Sequence, residues 1–357
     1  MPNTEQKYPY PQYPHAEPFA KLLFETGFLT FNNGKYPLAT RGERAKTYRE
    51  YIQGSLSKGE AVREGKEIEE INRQFTEEQK EMLVSLDGMG EMSARYVVLN
   101  LDKKREPKSL IFLIPGISND LEGSGMLGHK LAQEGHHVVI LSYPESWHGK
   151  TTEEFGAAVE SDQEFGPHTA FFQQMIENIT VEEKLDPANT ENGLELWGHS
   201  TGSVIAANLL KKEEKYRNSV KRAVLCNPAA CVDSNPTRLN FGLLVDTIKN
   251  LFAPQHLPGL NPSIPTTVNK TDHEREMMLK THFALRDSVL KKYPWWKDIS
   301  LENDKIFVVS ATGDLVVHSK HVLDEIRQVN PRINIKEIPG PHTIAITNPE
   351  AIFAAID

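Results

Sequence analysis

Ser200, Asp314 and His342 are the residues of this chain whose types and placement could do chemistry together. A serine hydroxyl is a poor nucleophile at neutral pH. It becomes an effective one when an imidazole takes its proton and a carboxylate orients that imidazole. Ser200 stands in Gly198-His199-Ser200-Thr201-Gly202, after the apolar run Leu194, Leu196, Trp197 and before a helical run carrying Val204, Ile205, Leu209 and Leu210. Strand, abrupt turn and helix in that order push a serine hydroxyl out at the end of a sheet on a strained backbone. Residues two before and two after such a serine nearly collide across the turn, and glycine at 198 and 202 removes the clash.

The acid and the base are sought after later strands. Residues 305–310 (KIFVVS) read as a strand that runs into Ala311-Thr312-Gly313-Asp314, and 333–338 as one that runs into Pro339-Gly340-Pro341-His342. Taken singly, Asp314 is as good a helix-capping or turn aspartate and His342 as good a loop histidine. Asp233, which follows the strand at 221–226, is the rival acid. Attack on a carbonyl leaves an oxyanion that needs two preorganised donors. The backbone N–H groups of Thr201, at the start of the helix, and of Ile117, just past the Pro115-Gly116 turn, are the candidates. The chemistry is acyl transfer, with no cofactor and no metal. His129, His136 and His137 have no carboxylate in register and read as surface histidines.

The elements that must position these groups follow from the rhythm of the chain. Residues 1–18 are rich in proline and tyrosine, and helices are expected at 41–53, 60–75 and 77–86, ahead of a turn at Asp87-Gly88-Met89-Gly90. From there short Val, Ile and Leu runs (96–101, 109–114, 137–143, 194–197, 221–226) alternate with helical text at 127–134 and 169–183. Continuous apolar runs of that length suit central strands of a parallel sheet covered on both faces. The alternation stops between 234 and 304, where a proline-rich loop at 254–265 and a charged helix from 272 to about 293 intervene, and resumes with helices at 318–329 and 349–356. The expected fold is therefore α/β, a mostly parallel doubly wound sheet. Four parts are expected: a mostly helical N-terminal extension (1–90), a core (91–233), an inserted helical cap (234–304) and the rest of the core (305–357). Trp295-Trp296 reads as the plug that holds the cap down.

Composition narrows the partners. A net charge of −9 with 25% charged residues argues against nucleic acid, since nothing neutralises phosphates in bulk. Two cysteines, Cys226 and Cys231, match neither a disulfide framework nor a zinc pattern. Neither a secretory signal nor a transmembrane run is seen, so a cytoplasmic location is expected. The cap helix is too charged for a lid that opens onto lipid, which favours a small soluble substrate.

At these residues the chain resembles the α/β-hydrolase superfamily over about 95–357, with the insertion as its lid. GHSTG resembles the elbow of serine esterases, of lysophospholipase-like and monoacylglycerol-lipase-like members and of the serine-peptidase branch. The segment 143–151 (YPESWHGKT) stands where such proteins often carry a His-Gly pair. The resemblance implies Ser200 as nucleophile, Asp314 as acid, His342 as base and Ile117 and Thr201 as oxyanion amides, acting on a carboxylic ester or another acyl substrate. Pro115-Gly116 departs from the usual His-Gly after the third strand. A serine peptidase, a thioesterase or an acyltransferase would use the same groups. A noncatalytic binding protein on this fold, or an interaction protein associating through residues 1–90, is the alternative from another class.

Overall fold

The computed structural model describes residues 79–100, 106–117, 121–229 and 270–356, apart from 147, 163, 213, 298, 300–304, 313, 315, 317–318, 332, 339–341, 343 and 348. Among them eight strands form one sheet: β1 (Lys80–Leu86), β2 (Gly90–Leu99), β3 (Leu110–Ile114), β4 (His137–Leu141), β5 (Leu194–His199), β6 (Val220–Cys226), β7 (Ile306–Ala311) and β8 (Asn334–Ile338). Their order is β1-β2-β4-β3-β5-β6-β7-β8. β1 pairs antiparallel with β2 and β2 antiparallel with β4, and every later pairing is parallel. The chain is an α/β protein with a mostly parallel, doubly wound sheet, as expected.

The helices follow the sequence pattern. α1 (Leu121–Gln133) packs Leu121, Leu127 and Leu131 onto one face of the sheet, together with Ile352 and Ile356 of α9 (Pro349–Ile356). The other face is covered by α3 (Gly166–Glu182), α4 (Thr201–Lys212) and α7 (Ser319–Val329), through Phe171, Phe172, Val204, Leu209, Leu323 and Ile326. β3 (LIFLI) and β5 (LELWGH) are buried at every position, because helices cover both faces. α2 (Glu153–Ser161) starts at Thr152, whose hydroxyl accepts from the Phe155 N–H at 3.1 Å and donates to the Met89 carbonyl. α5 (Glu214–Ser219) precedes β6, and α8 (Ile344–Thr347) precedes α9.

The expected helix at 77–86 is corrected: residues 80–86 are β1. Met82 and Val84 face inward while Glu81 and Leu83 face out, and Gly88 and Gly90, both at positive φ, turn the chain into β2. Lys, Glu, Met and Leu favour helices in isolation, but the alternation of burial and the turn chemistry prevail here. The sheet thus begins ahead of residue 90. The strands expected at 96–101 and 333–338 are found as Gly90–Leu99 and Asn334–Ile338.

In the segment expected to be a cap, α6 (Asp272–Val289) is capped by Thr271, whose hydroxyl accepts from the Glu274 N–H while the Glu274 carboxylate takes the Thr271 N–H. α6 packs on α2: a side chain at Gly156 would meet the Thr281 hydroxyl. Trp295 and Trp296 meet edge to face with ring centres 5.4 Å apart, and both are buried in the main core, consistent with a plug. The proline-rich loop at 254–265, the rival Asp233, Cys231 and residues 1–78 lie outside the described residues.

Candidate active site

Ser200 follows β5 and precedes α4, on a backbone with φ of 54°, a left-handed conformation unusual for a residue with a side chain. Neighbouring strands hold it there. The Ser200 N–H donates to the Cys226 carbonyl at 2.8 Å, and its carbonyl accepts from the N–H groups of Ser203 (3.1 Å) and Ala229 (3.2 Å). The two glycines are needed for somewhat different reasons than expected. A Cβ at Gly198 would lie 2.5 Å from the Gly202 carbonyl oxygen, the collision across the turn. A Cβ at Gly202 would instead meet the end of β3, 2.5 Å from the Pro115 carbonyl oxygen and closer still to that of Ile114. The second glycine therefore lets the elbow touch the loop that carries Ile117.

His342 follows β8 and joins the other two candidates. Its Nε2 lies 2.9 Å from the Ser200 Oγ and its Nδ1 2.7 Å from Asp314 Oδ2. Asp314 follows β7. It is fixed by its own N–H, which donates to the Ala311 carbonyl at 3.1 Å, and by the Val316 N–H, which donates to Oδ1 at 2.8 Å. All three side chains are buried. A neutral imidazole protonated on Nδ1 donates to Asp314 and leaves its Nε2 lone pair facing the serine hydroxyl. Such a chain can draw the proton from Oγ as the oxygen attacks a carbonyl.

Thr201 opens α4, so its N–H is one of those with no acceptor inside the helix, and Ile117 lies three residues past the end of β3, half-buried. Both amides stand at the carboxyl edge of the sheet.

Several residues that sequence reasoning did not single out complete the site. The His342 carbonyl accepts from Asn227 Nδ2 at 2.6 Å and from His199 Nε2 at 2.9 Å. Asn227, at φ of 45°, also takes the Ala311 N–H on its Oδ1 at 2.6 Å, so one side chain ties β6 to the strand of the acid and to the base. An asparagine directly after an apolar strand was the available signal, since asparagine tolerates left-handed backbone. Burial and the neighbouring His342 hold His199 down at about 4, so it is neutral and donates from Nε2. Ser203 Oγ donates to the Gly198 carbonyl at 2.8 Å. Burial pushes the Cys226 thiol up to about 12, which leaves it unreactive. His129, expected on the surface, is buried on α1. Among the described residues no group of His, Cys, Asp and Glu could hold a metal ion, and no helix is long and apolar enough to cross a membrane.

The parallel sheet, the elbow and the converging serine, histidine and aspartate define a serine-hydrolase-type α/β-hydrolase. More particularly, the chain belongs to the Serine aminopeptidase, S33 family, whose model matches residues 105–293, over half of its length. It is similar in structure to an enol-lactonase from Burkholderia xenovorans LB400, with 14% identity, a TM-score of 0.53 and coverage of 77% of this chain and 98% of that one. It is also similar to a bromoperoxidase from Bacillus anthracis, with 13% identity, a TM-score of 0.50 and coverage of 78% and 98%. At such identities the likeness shows the fold alone. No match was found among curated proteins.

Proposed function

We propose that the protein is a serine hydrolase that cleaves carboxylic esters through an acyl-enzyme. What carries the proposal is the unbroken hydrogen-bonded chain from Ser200 through His342 to Asp314, with links of 2.9 and 2.7 Å. Ser200 Oγ forms a bond to the substrate carbonyl carbon as its proton passes to His342 Nε2. The oxyanion is held by the Thr201 and Ile117 amides. His342 then gives the proton to the departing alcohol as the carbon–oxygen bond breaks. A water, deprotonated by the same imidazole, releases the acid and restores the serine. Asp314 keeps the imidazole in the right tautomer and stabilises its charged form. Residues 234–304 act as a cap that walls the substrate, in line with the packing of α6 on α2.

A peptide bond is the second reading, favoured by the family match. The groups are the same, and the leaving amine takes the proton from His342. Assays with p-nitrophenyl esters of rising chain length and with aminoacyl p-nitroanilides, on wild type and Ser200→Ala, separate the two. Ester turnover abolished by Ser200→Ala is expected. Turnover of anilides alone would favour the peptidase, and hydrolysis that survives Ser200→Ala would end both.

A further inference from the structure

We propose that Tyr143 is a positioning residue for the oxyanion loop: by holding the Pro115 carbonyl, its hydroxyl sets the peptide plane from which the Ile117 N–H is aimed. This rests on the function proposed above and adds to it a residue that touches no reacting atom.

The tyrosine hydroxyl, carried just past the end of β4, donates to the Pro115 carbonyl at 2.9 Å, and the side chain is buried. Its ring is fixed in turn. It meets Phe172 edge-on with ring centres 5.0 Å apart, and His168 at 5.7 Å. His168 Nε2 lies 2.9 Å from Glu145 Oε1, a buried pair that keeps this wall in place.

On the loop side, proline fixes its own φ near −65°. Once its carbonyl is also held, ψ is fixed, and the Pro115–Gly116 peptide plane has no freedom left. Only the two dihedrals of Gly116 then separate that plane from the Ile117 N–H. The same carbonyl oxygen is bounded on another side by Gly202, where even a Cβ would come within 2.5 Å. Tyr143 and the elbow therefore confine one oxygen between them, and the Gly116 dihedrals alone remain to set the spacing of the Ile117 and Thr201 amides. Burial and the nearby Glu145 carboxylate hold the Tyr143 phenol far above its ordinary range, so the donor is present at any working pH.

Oxyanion donors act by position, and a misplacement of about 1 Å costs roughly 100-fold. The probe is an alkyl fluorophosphonate, whose capture by Ser200 develops charge on a phosphoryl oxygen in the same place. For Tyr143→Phe, which keeps the ring and removes the donor, kinact is expected to fall about 10- to 100-fold with KI changed less than about threefold. An unchanged kinact, or a rise in KI alone, would overturn the proposal. If Tyr143→Phe does not fold by circular dichroism, the same two constants on Tyr143→Met decide. That variant fills the buried space with a flexible apolar side chain but also lacks the donor, and an unchanged kinact there overturns the proposal equally. Wild type and Ser200→Ala run alongside. A wild type that does not label, or a Ser200→Ala that labels as fast as wild type, sinks the hydrolase reading. Normal labelling of both wild type and Tyr143→Phe sinks the tyrosine's role alone.

Discussion

His342 is held at both ends, its imidazole by Asp314 and Ser200 and its carbonyl by Asn227 and His199. The second grip has a pH signature. His199 is fully buried and its folded-state value is about 4, against an ordinary 6.5. The unfolded chain therefore binds a proton that the folded chain refuses between those values. Stability associated with neutral His199 is complete above about 6.5 and is lost as pH falls towards 4, by about 3 kcal/mol at most. Urea titrations of wild type and His199→Gln between pH 8 and 4 are expected to show the wild-type midpoint falling more steeply below pH 6.5. Parallel curves would show that His199 does not titrate in this way. Ser200, Asp314 and His342 were readable in the sequence because each follows an apolar run that ends in turn residues. Asn227, His199 and Tyr143 were not: an asparagine directly after an apolar strand marks a left-handed turn, but no residue type marks which remote backbone carbonyl a side chain will hold.

At the scale of elements, helix and strand text were separable wherever apolar runs were continuous, as in β3 and β5, and failed at the edge. β1 carries helix-favouring residues, and what makes it a strand is pairing with β2, from Lys80 opposite Tyr96 to Leu86 opposite Gly90. A strand alternates and a helix does not, so adjacent positions test it. Val84 is buried and Leu83 is 55% exposed. Val84→Ala is expected to lower stability by about 1–3 kcal/mol and Leu83→Ala by less than about 0.5 kcal/mol in chemical denaturation. Equal losses would contradict the hairpin.

Across the whole molecule the sheet keeps its chemistry at one edge and a separate anchor at the other. Near the amino end of β5 the buried Glu195 carboxylate accepts from Ser109 Oγ (2.6 Å), Trp197 Nε1 (2.9 Å) and Arg222 Nε (2.9 Å) and Nη2 (3.1 Å). A lone glutamate in an apolar strand gave no hint of this, because apart from Trp197 on β5 itself its partners come from β6 and from the residue just ahead of β3. Arg222→Met leaves that charge buried with two neutral donors. It is expected to cost roughly 3 kcal/mol of stability while leaving the kinetics of the folded enzyme unchanged. A loss of kcat at full folding would show that the two edges are coupled. The α/β class follows from apolar periodicity, and the candidate serine, aspartate and histidine from their residue types in turns at strand ends, whereas the contacts that fix the loops join residues remote in sequence.

The convergence of Ser200, His342 and Asp314 is tested most directly by peptide mapping after fluorophosphonate treatment, with the rate followed in wild type, His342→Ala and Asp314→Asn. A single adduct on Ser200, forming about 10³-fold or more slower in each variant, is expected. An adduct on another residue, or variants that label at the wild-type rate, would contradict the proton relay.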